Sequence, residues 1–167
     1  MGILVNKTDF VGAYALSKSI ADTIDPFILK YEARYLRDLL GVELYDLFNA
    51  DLTNQVPADA RFVKIYDELY QDETGYQIQS EGMKNMILGF LWFEYVRSTK
   101  YKHTDTAVVV NAQEISRTAG WTEGFIYKIY NESLKTYWAI QCYVNVVDSA
   151  TYPEFKGLRK KLAGTVA

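Results

Sequence analysis

His103 is the one histidine of the chain, and it limits what chemistry the residues could carry. A hydroxyl or thiol nucleophile needs a base held against it, normally an imidazole oriented by a carboxylate. Asp105 follows His103 closely, but that spacing within polar and β-branched residues does not fix such a pair. Cys142 is the one cysteine, so there is no CxxC pair or disulfide framework, and any metal would depend on carboxylates. The acidic pairs Asp22 with Asp25, Glu43 with Asp46, and Asp67 with Glu68 stand at helix caps or on polar helix faces, where solvation accounts for them. Asp46-Leu47-Phe48-Asn49-Ala50-Asp51 spaces its oxygens suggestively, yet it lacks the mid-loop glycine and terminal glutamate of a calcium loop. No GxxxxGK(S/T) or GxGxxG motif is present to cradle phosphates. Two carboxylates are enough for glycoside hydrolysis, so a carboxylate-based hydrolase stays open as a third reading. The residues otherwise point to a non-enzyme with no catalytic residue, no cofactor and no metal.

The elements that would position these residues are helical. With 167 residues the chain is long enough for one domain, residues 1–167, with its own core. Hydrophobic content of 49% and charged content of 23% are those of a globular protein. The aromatic share, 15% with fourteen Tyr, eight Phe and three Trp, is high, and residues with an apolar body and a polar tip suit both cores and partner surfaces. A net charge of −3 argues against nucleic-acid binding as the main task. Lys156, Arg159, Lys160 and Lys161 form a basic cluster, read as a solvated helix end. Met-Gly-Ile-Leu-Val-Asn lacks the basic start and apolar core of a secretion signal, so an intracellular chain is expected. Cys142, inside an apolar helical pattern, is expected to be a buried thiol.

In chain order, residues 9–24 predict a first helix. Asp25 then caps, and Pro26 opens, a long helix whose apolar positions include Ile28, Tyr35, Leu36 and Leu39. Gly41 closes it in the left-handed conformation, and a short helix follows through Leu44, Tyr45 and Phe48. Leu39, Leu40, Gly41, Leu44 and Tyr45 make a structural corner. A loop over 49–59 leads to a cap at Asp59 and a helix carrying Phe62, Ile65, Tyr66, Leu69 and Tyr70. The segment 71–80 is polar, broken at Gly75. Met83 to Val96 is apolar on nearly every side and ends at Arg97 and Lys100, which makes it a central buried helix, too short for a bilayer span.

The β-branched run within Thr104 to Asn111 predicts an extended segment, which pairs within the chain or is offered to a partner. Thr122 caps a last helix running to Asn145, roughly 35 Å long at helical rise. Ile126, Ile129, Tyr137, Ile140 and Val144 share one side of it, and Tyr127, Tyr130, Leu134 and Trp138 lean to another. The expected fold is all-α, a bundle of about five helices with one extended loop or short β segment near 104–111. Candidate partner or oligomer contacts are Thr104, Thr106, Val108, Val109, Val110, Tyr127, Tyr130 and Trp138.

Tyr31-Glu32-Ala33-Arg34-Tyr35-Leu36-Arg37-Asp38-Leu39-Leu40-Gly41-Val42-Glu43-Leu44-Tyr45-Asp46-Leu47-Phe48 resembles the corner of small head-to-tail connector proteins of tailed bacteriophages, most of all those of phages infecting Bacteroidetes, including the crAss-like group. The downstream order of polar loop, apolar central helix, extended interruption, long aromatic helix and short tail is similar too. The resemblance implies a structural virion protein of the neck, assembled in the host cytoplasm. It would form a homo-oligomeric ring between portal and tail, commonly twelve-fold in the family. Its partners would be the portal protein and other neck or tail ring proteins, with no sequence-specific nucleic-acid contact and no membrane. The family has no catalytic residues to transfer. A second class, a small helical ligand-binding or regulatory module without catalysis, is suggested by the aromatic residues Trp92, Phe93, Tyr95 and Trp138.

Overall fold

The computed structural model describes residues 2–16, 24–73, 76–104, 107–110 and 119–156, with 72–73, 76, 99–104, 107–110 and 119–123 described by backbone alone. Helix α1 (Asp25–Leu40) takes Asp25 as its first residue; Ile24 is the N-cap, without a side-chain bond, and Pro26 lies in the first turn. Asp25 is therefore not the expected cap, and its charge acts on the positive end of the helix instead. Gly41 has φ 75° and ψ 165°, which is the mirror image of an extended strand and not a left-handed helical turn. That region is essentially reserved for glycine. The Gly41 N–H still closes α1 on the Arg37 carbonyl at 2.9 Å, and its own carbonyl opens α2 (Val42–Asp51) by accepting the Tyr45 N–H at 3.0 Å.

The loop expected over 49–59 is shorter than the composition suggests. Helix α2 continues to Asp51, whose Oδ2 accepts the N–H groups of Ala58 and Asp59, each at 2.8 Å. Between them β1 (Leu52–Thr53) and β2 (Val56–Pro57) form a hairpin, with Asn54 at φ 53° and Gln55 at φ 69°. Two positive φ angles make the primed turn that matches strand twist, here without the glycine that usually signals it. Asp59 does cap helix α3 (Ala60–Tyr66), accepting the Arg61 N–H at 3.0 Å. The helix stops at Tyr66, short of the predicted Leu69 and Tyr70. Those two residues open β3 (Leu69–Glu73), which pairs with β4 (Tyr76–Ser80) in register Leu69↔Ser80 and Gln71↔Ile78. Leu69, Ile78 and Ser80 are buried while Tyr70 and Gln79 face outward, so a strand pair with one wet face reads as a polar segment.

Helix α4 (Met83–Lys100) runs through the centre as its composition predicts. It passes into β5 (Tyr101–Thr104), which pairs antiparallel with β6 (Ala107–Val110). The extended segment thus pairs within its own chain, against the residues before it. Helix α5 (Ala119–Cys142) starts before Thr122, which is not its cap, and a π turn over Tyr143–Val147 replaces its predicted last turn. The described chain is mostly helical, as expected, but three small antiparallel hairpins accompany the helices. In place of a first helix, a 3-10 turn at Lys7–Asp9 ends where the helix was expected to begin and a second lies at Gly12–Tyr14, with Gly12 at φ 60°; residues 17–23 of that predicted helix lie outside the described residues.

The core is the space between α1, α4 and α5. Tyr35 stacks on Phe90 at 4.5 Å, and Phe90 meets Tyr130 and Tyr137 edge-on at 5.4 and 6.4 Å. Helices α4 and α5 approach closely at Gly89, where an added Cβ would fall 2.0 Å from the Ser133 hydroxyl oxygen. No described helix is long and apolar enough to cross a membrane.

Candidate functional site

The corner at Gly41 is built by three helices. The last carbonyls of α1 have no partners within their own helix. Helix α5 supplies them: the Tyr137 hydroxyl donates to the Asp38 carbonyl at 2.8 Å, and Gln141 Nε2 donates to the Leu39 carbonyl at 3.2 Å and to the Tyr137 hydroxyl at 3.0 Å. Burial first, then the Asp38 charge, holds the Tyr137 hydroxyl well above the usual tyrosine range, so it stays a donor. Leu39, Leu40, Leu44 and Tyr45 are all buried around the turn, and the Arg37 guanidinium lies over the Tyr45 ring at 4.9 Å. Gln141 went unnoticed in the sequence. A glutamine on the buried side of an apolar helix is the signal that could have found it, since a buried amide needs partners.

A second polar cluster fastens the N-terminal segment. Glu32 is only 1% exposed, and its carboxylate accepts the N–H groups of Ile3 and Leu4 at 2.6 Å each and of Val5 at 2.9 Å. Burial is the largest influence on this carboxyl and pushes it above the usual range; the three N–H donors pull it back. Gly2 packs so closely that an added Cβ would lie 2.5 Å from Glu32 Oε2 and 2.2 Å from the Val5 carbonyl oxygen. Gln55, in the β1–β2 turn, donates to the Gly2 carbonyl at 3.0 Å and accepts from Asn6 at 2.5 Å. Asp9 accepts the Asn6 N–H at 2.7 Å and pairs with Lys84 of α4 at 2.9 Å. These donors and acceptors satisfy one another, so the cluster fastens the N-terminal segment to α1, α4 and the β1–β2 turn.

The carboxylate in the aromatic centre is likewise satisfied. Glu94 accepts from the Tyr35 hydroxyl at 2.8 Å and from Arg97 at 2.8 Å. Burial, then the Glu94 charge, raises the Tyr35 hydroxyl far above its ordinary value, so it stays protonated and remains the donor to Glu94. Among the described residues no three His, Cys, Asp or Glu side chains come together to hold a metal. Asp46 and Asp51 fall within α2, not on a calcium loop. His103 lies in β5, and Asp105 lies outside the described residues.

The candidate contact residues separate into three groups. Thr104, Val108, Val109 and Val110 belong to the β5–β6 hairpin, paired Thr104↔Ala107, His103↔Val108, Lys102↔Val109 and Tyr101↔Val110; Thr106 lies outside the described residues. Tyr130 is a core residue, 4.5 Å from the Phe93 ring, and Leu134 is buried with it, which corrects the expectation that they form a second apolar side. Tyr127 is half-buried, 6.1 Å from Phe93, while Trp138 is 47% exposed. Cys142 is half-buried, not fully buried as expected. The C-terminal segment clips α3: the Tyr152 hydroxyl donates to the Arg61 carbonyl at 2.5 Å, and Arg61 pairs with Glu154 at 3.2 Å. Of the basic cluster, Lys156 pairs with Glu43, and Arg159, Lys160 and Lys161 lie outside the described residues. No protein-family model matches the chain, and no curated protein or solved structure matches it either.

Proposed function

We propose that this chain is a head-to-tail connector subunit of a tailed bacteriophage: a structural, non-enzymatic virion protein, with a helical connector-like domain spanning residues 1–167. Copies form a homo-oligomeric ring in the neck, between the portal protein and the tail or a further ring, and assemble in the host cytoplasm. The observation that supports this most is the Gly41 corner within the stretch that carries the family resemblance, where Leu39, Leu40, Leu44 and Tyr45 are buried and α5 braces the turn through Tyr137 and Gln141. A protein whose task is to hold an angle under load needs such a corner more than it needs a pocket. The β5–β6 hairpin at the end of α4 is the second support, because a two-stranded hairpin keeps backbone donors and acceptors on both edges for a partner. We assign it the portal contact.

The ligand-binding alternative draws less support. Its aromatic residues are spent on one another or on the surface: Trp92 packs edge-on against Phe125 at 5.9 Å, Phe93 on Tyr130, and Trp138 faces outward. Cryo-microscopy of the assembled particle tests the connector reading, with density for this fold expected in the neck. A gene lying among metabolic genes, away from portal and capsid genes, would overturn it.

A further inference from the structure

The outer stripe of α5 and the outer face of α2 are opposite in charge and alike in apolar exposure. On α5, Lys128, Lys135 and Trp138 fall on one solvent-facing stripe at helical spacing, and all three are exposed. Lys128 reaches Glu132 only loosely, at 3.8 Å; Lys135 has no ion-pair partner among the described residues. On α2, Val42 is 56% exposed and Leu47 42%, with Glu43 and Asp46 exposed beside them. Glu43 is held by an exposed Lys156, and Asp46 has no ion-pair partner among the described residues.

Resting on the ring reading above, we propose that the α2 face of one copy docks on the α5 stripe of the next copy. The occupant is chosen by sign. An α2 face meeting its own kind would oppose carboxylates, and α5 meeting α5 would oppose lysines, so pairings of like faces are disfavoured. An α2 face meeting α5 places Glu43 and Asp46 opposite Lys128 and Lys135 and sets the Trp138 ring between Val42 and Leu47. A large ring in the middle of a charged rim is the usual anatomy of a contact that carries most of its energy at one anchor. Where the two faces of one copy engage two different neighbours the contact is head-to-tail, and it closes into a ring when the rotation permits; that arrangement is the one the ring reading requires.

The test is sedimentation velocity of the full chain at low salt, over concentrations up to about 1 mM, so that a contact with a Kd of about 1 mM or tighter is populated. Asp46→Lys and Lys135→Glu are each expected to weaken self-association at least about tenfold, as juxtaposed like charges require. Circular dichroism should stay unchanged, because both side chains are exposed. An equimolar mixture of the two variants should associate again, since each altered face then meets an opposite charge on its neighbour. Trp138→Ala should weaken association in every combination. Single swaps that assemble like the wild type overturn the assignment of faces and leave the ring reading standing. A wild-type chain that stays monomeric throughout overturns the contact itself. The ring reading is judged separately, by microscopy of the particle.

Discussion

At the scale of single residues, Glu32 does the most unusual work: one buried carboxylate holds three consecutive backbone N–H groups of a segment far away in sequence. Its carboxyl is nonetheless raised above the ordinary value of 4.5, so burial outweighs the donors. A carboxyl that binds its proton more tightly in the folded chain makes the folded chain the better proton acceptor, and stability then falls as pH rises from 4.5 through the folded value. Glu32→Gln removes that titration and turns a second acceptor into a donor facing an N–H group, at a cost of about 1–3 kcal/mol. Urea unfolding across this pH range should show the wild type's advantage over the variant shrinking as pH rises. An advantage that grows with pH would mean that the donors outweigh burial. Gly41 makes a cleaner case for backbone alone, because an added Cβ meets nothing within 4 Å. Gly41→Ala should therefore lose about 1–3 kcal/mol purely from its backbone angles, seen as a lower thermal midpoint. An unchanged midpoint would remove conformation from the explanation of the corner.

At the scale of elements, the crossing of α4 and α5 is set by Gly89. Gly89→Ala gains helix propensity of about 1 kcal/mol, yet the new Cβ would need the buried Ser133 hydroxyl to leave its place. Overpacking of this kind costs about 1–3 kcal/mol, so the net change should be destabilising. Adding Ser133→Ala should recover most of the loss, since the Ser133 Cβ itself would be at 3.4 Å, an ordinary contact. Equal losses in the single and double variants would place the strain elsewhere. Helices with strong local signals were legible in the sequence: α4 from its unbroken apolar run, α3 from Asp59, the corner from Gly41. The hairpins were not. Asn54 and Gln55 turn the chain without glycine, and β3 and β4 show solvent a polar face. Residues 9–16 were misread as helical: Asp9 is held by Lys84, distant in sequence, and Gly12 takes a φ of 60° that no α-helix contains. Among the candidate contacts, Trp138 and Tyr130 looked alike by spacing, and only the packing of α4 against α5 tells the exposed ring from the buried one.

At the scale of the molecule, a packed aromatic body carries a hairpin that continues from the end of α4. Helices α1, α4 and α5 share one aromatic core, with the N-terminal segment and the Tyr152 region fastened onto it, whereas β5 and β6 pair with each other. If the hairpin serves docking and not folding, the two functions can be separated by surgery. The register brings Tyr101 opposite Val110, so exchanging Lys102–Val109 for Asn-Gly leaves that pair joined by a two-residue turn of the favoured kind. The shortened chain should keep its thermal midpoint within about 4 °C of the wild type, a change worth roughly 1–2 kcal/mol at this size. It should fail to co-sediment with portal rings while its self-association is unchanged. A lost midpoint would make the hairpin part of the folding unit, and retained portal binding would move the docking surface to another face. A shortened chain that folds, self-associates and still leaves the portal alone would place ring contact and portal contact on separate elements, as a subunit set between two unlike partners requires.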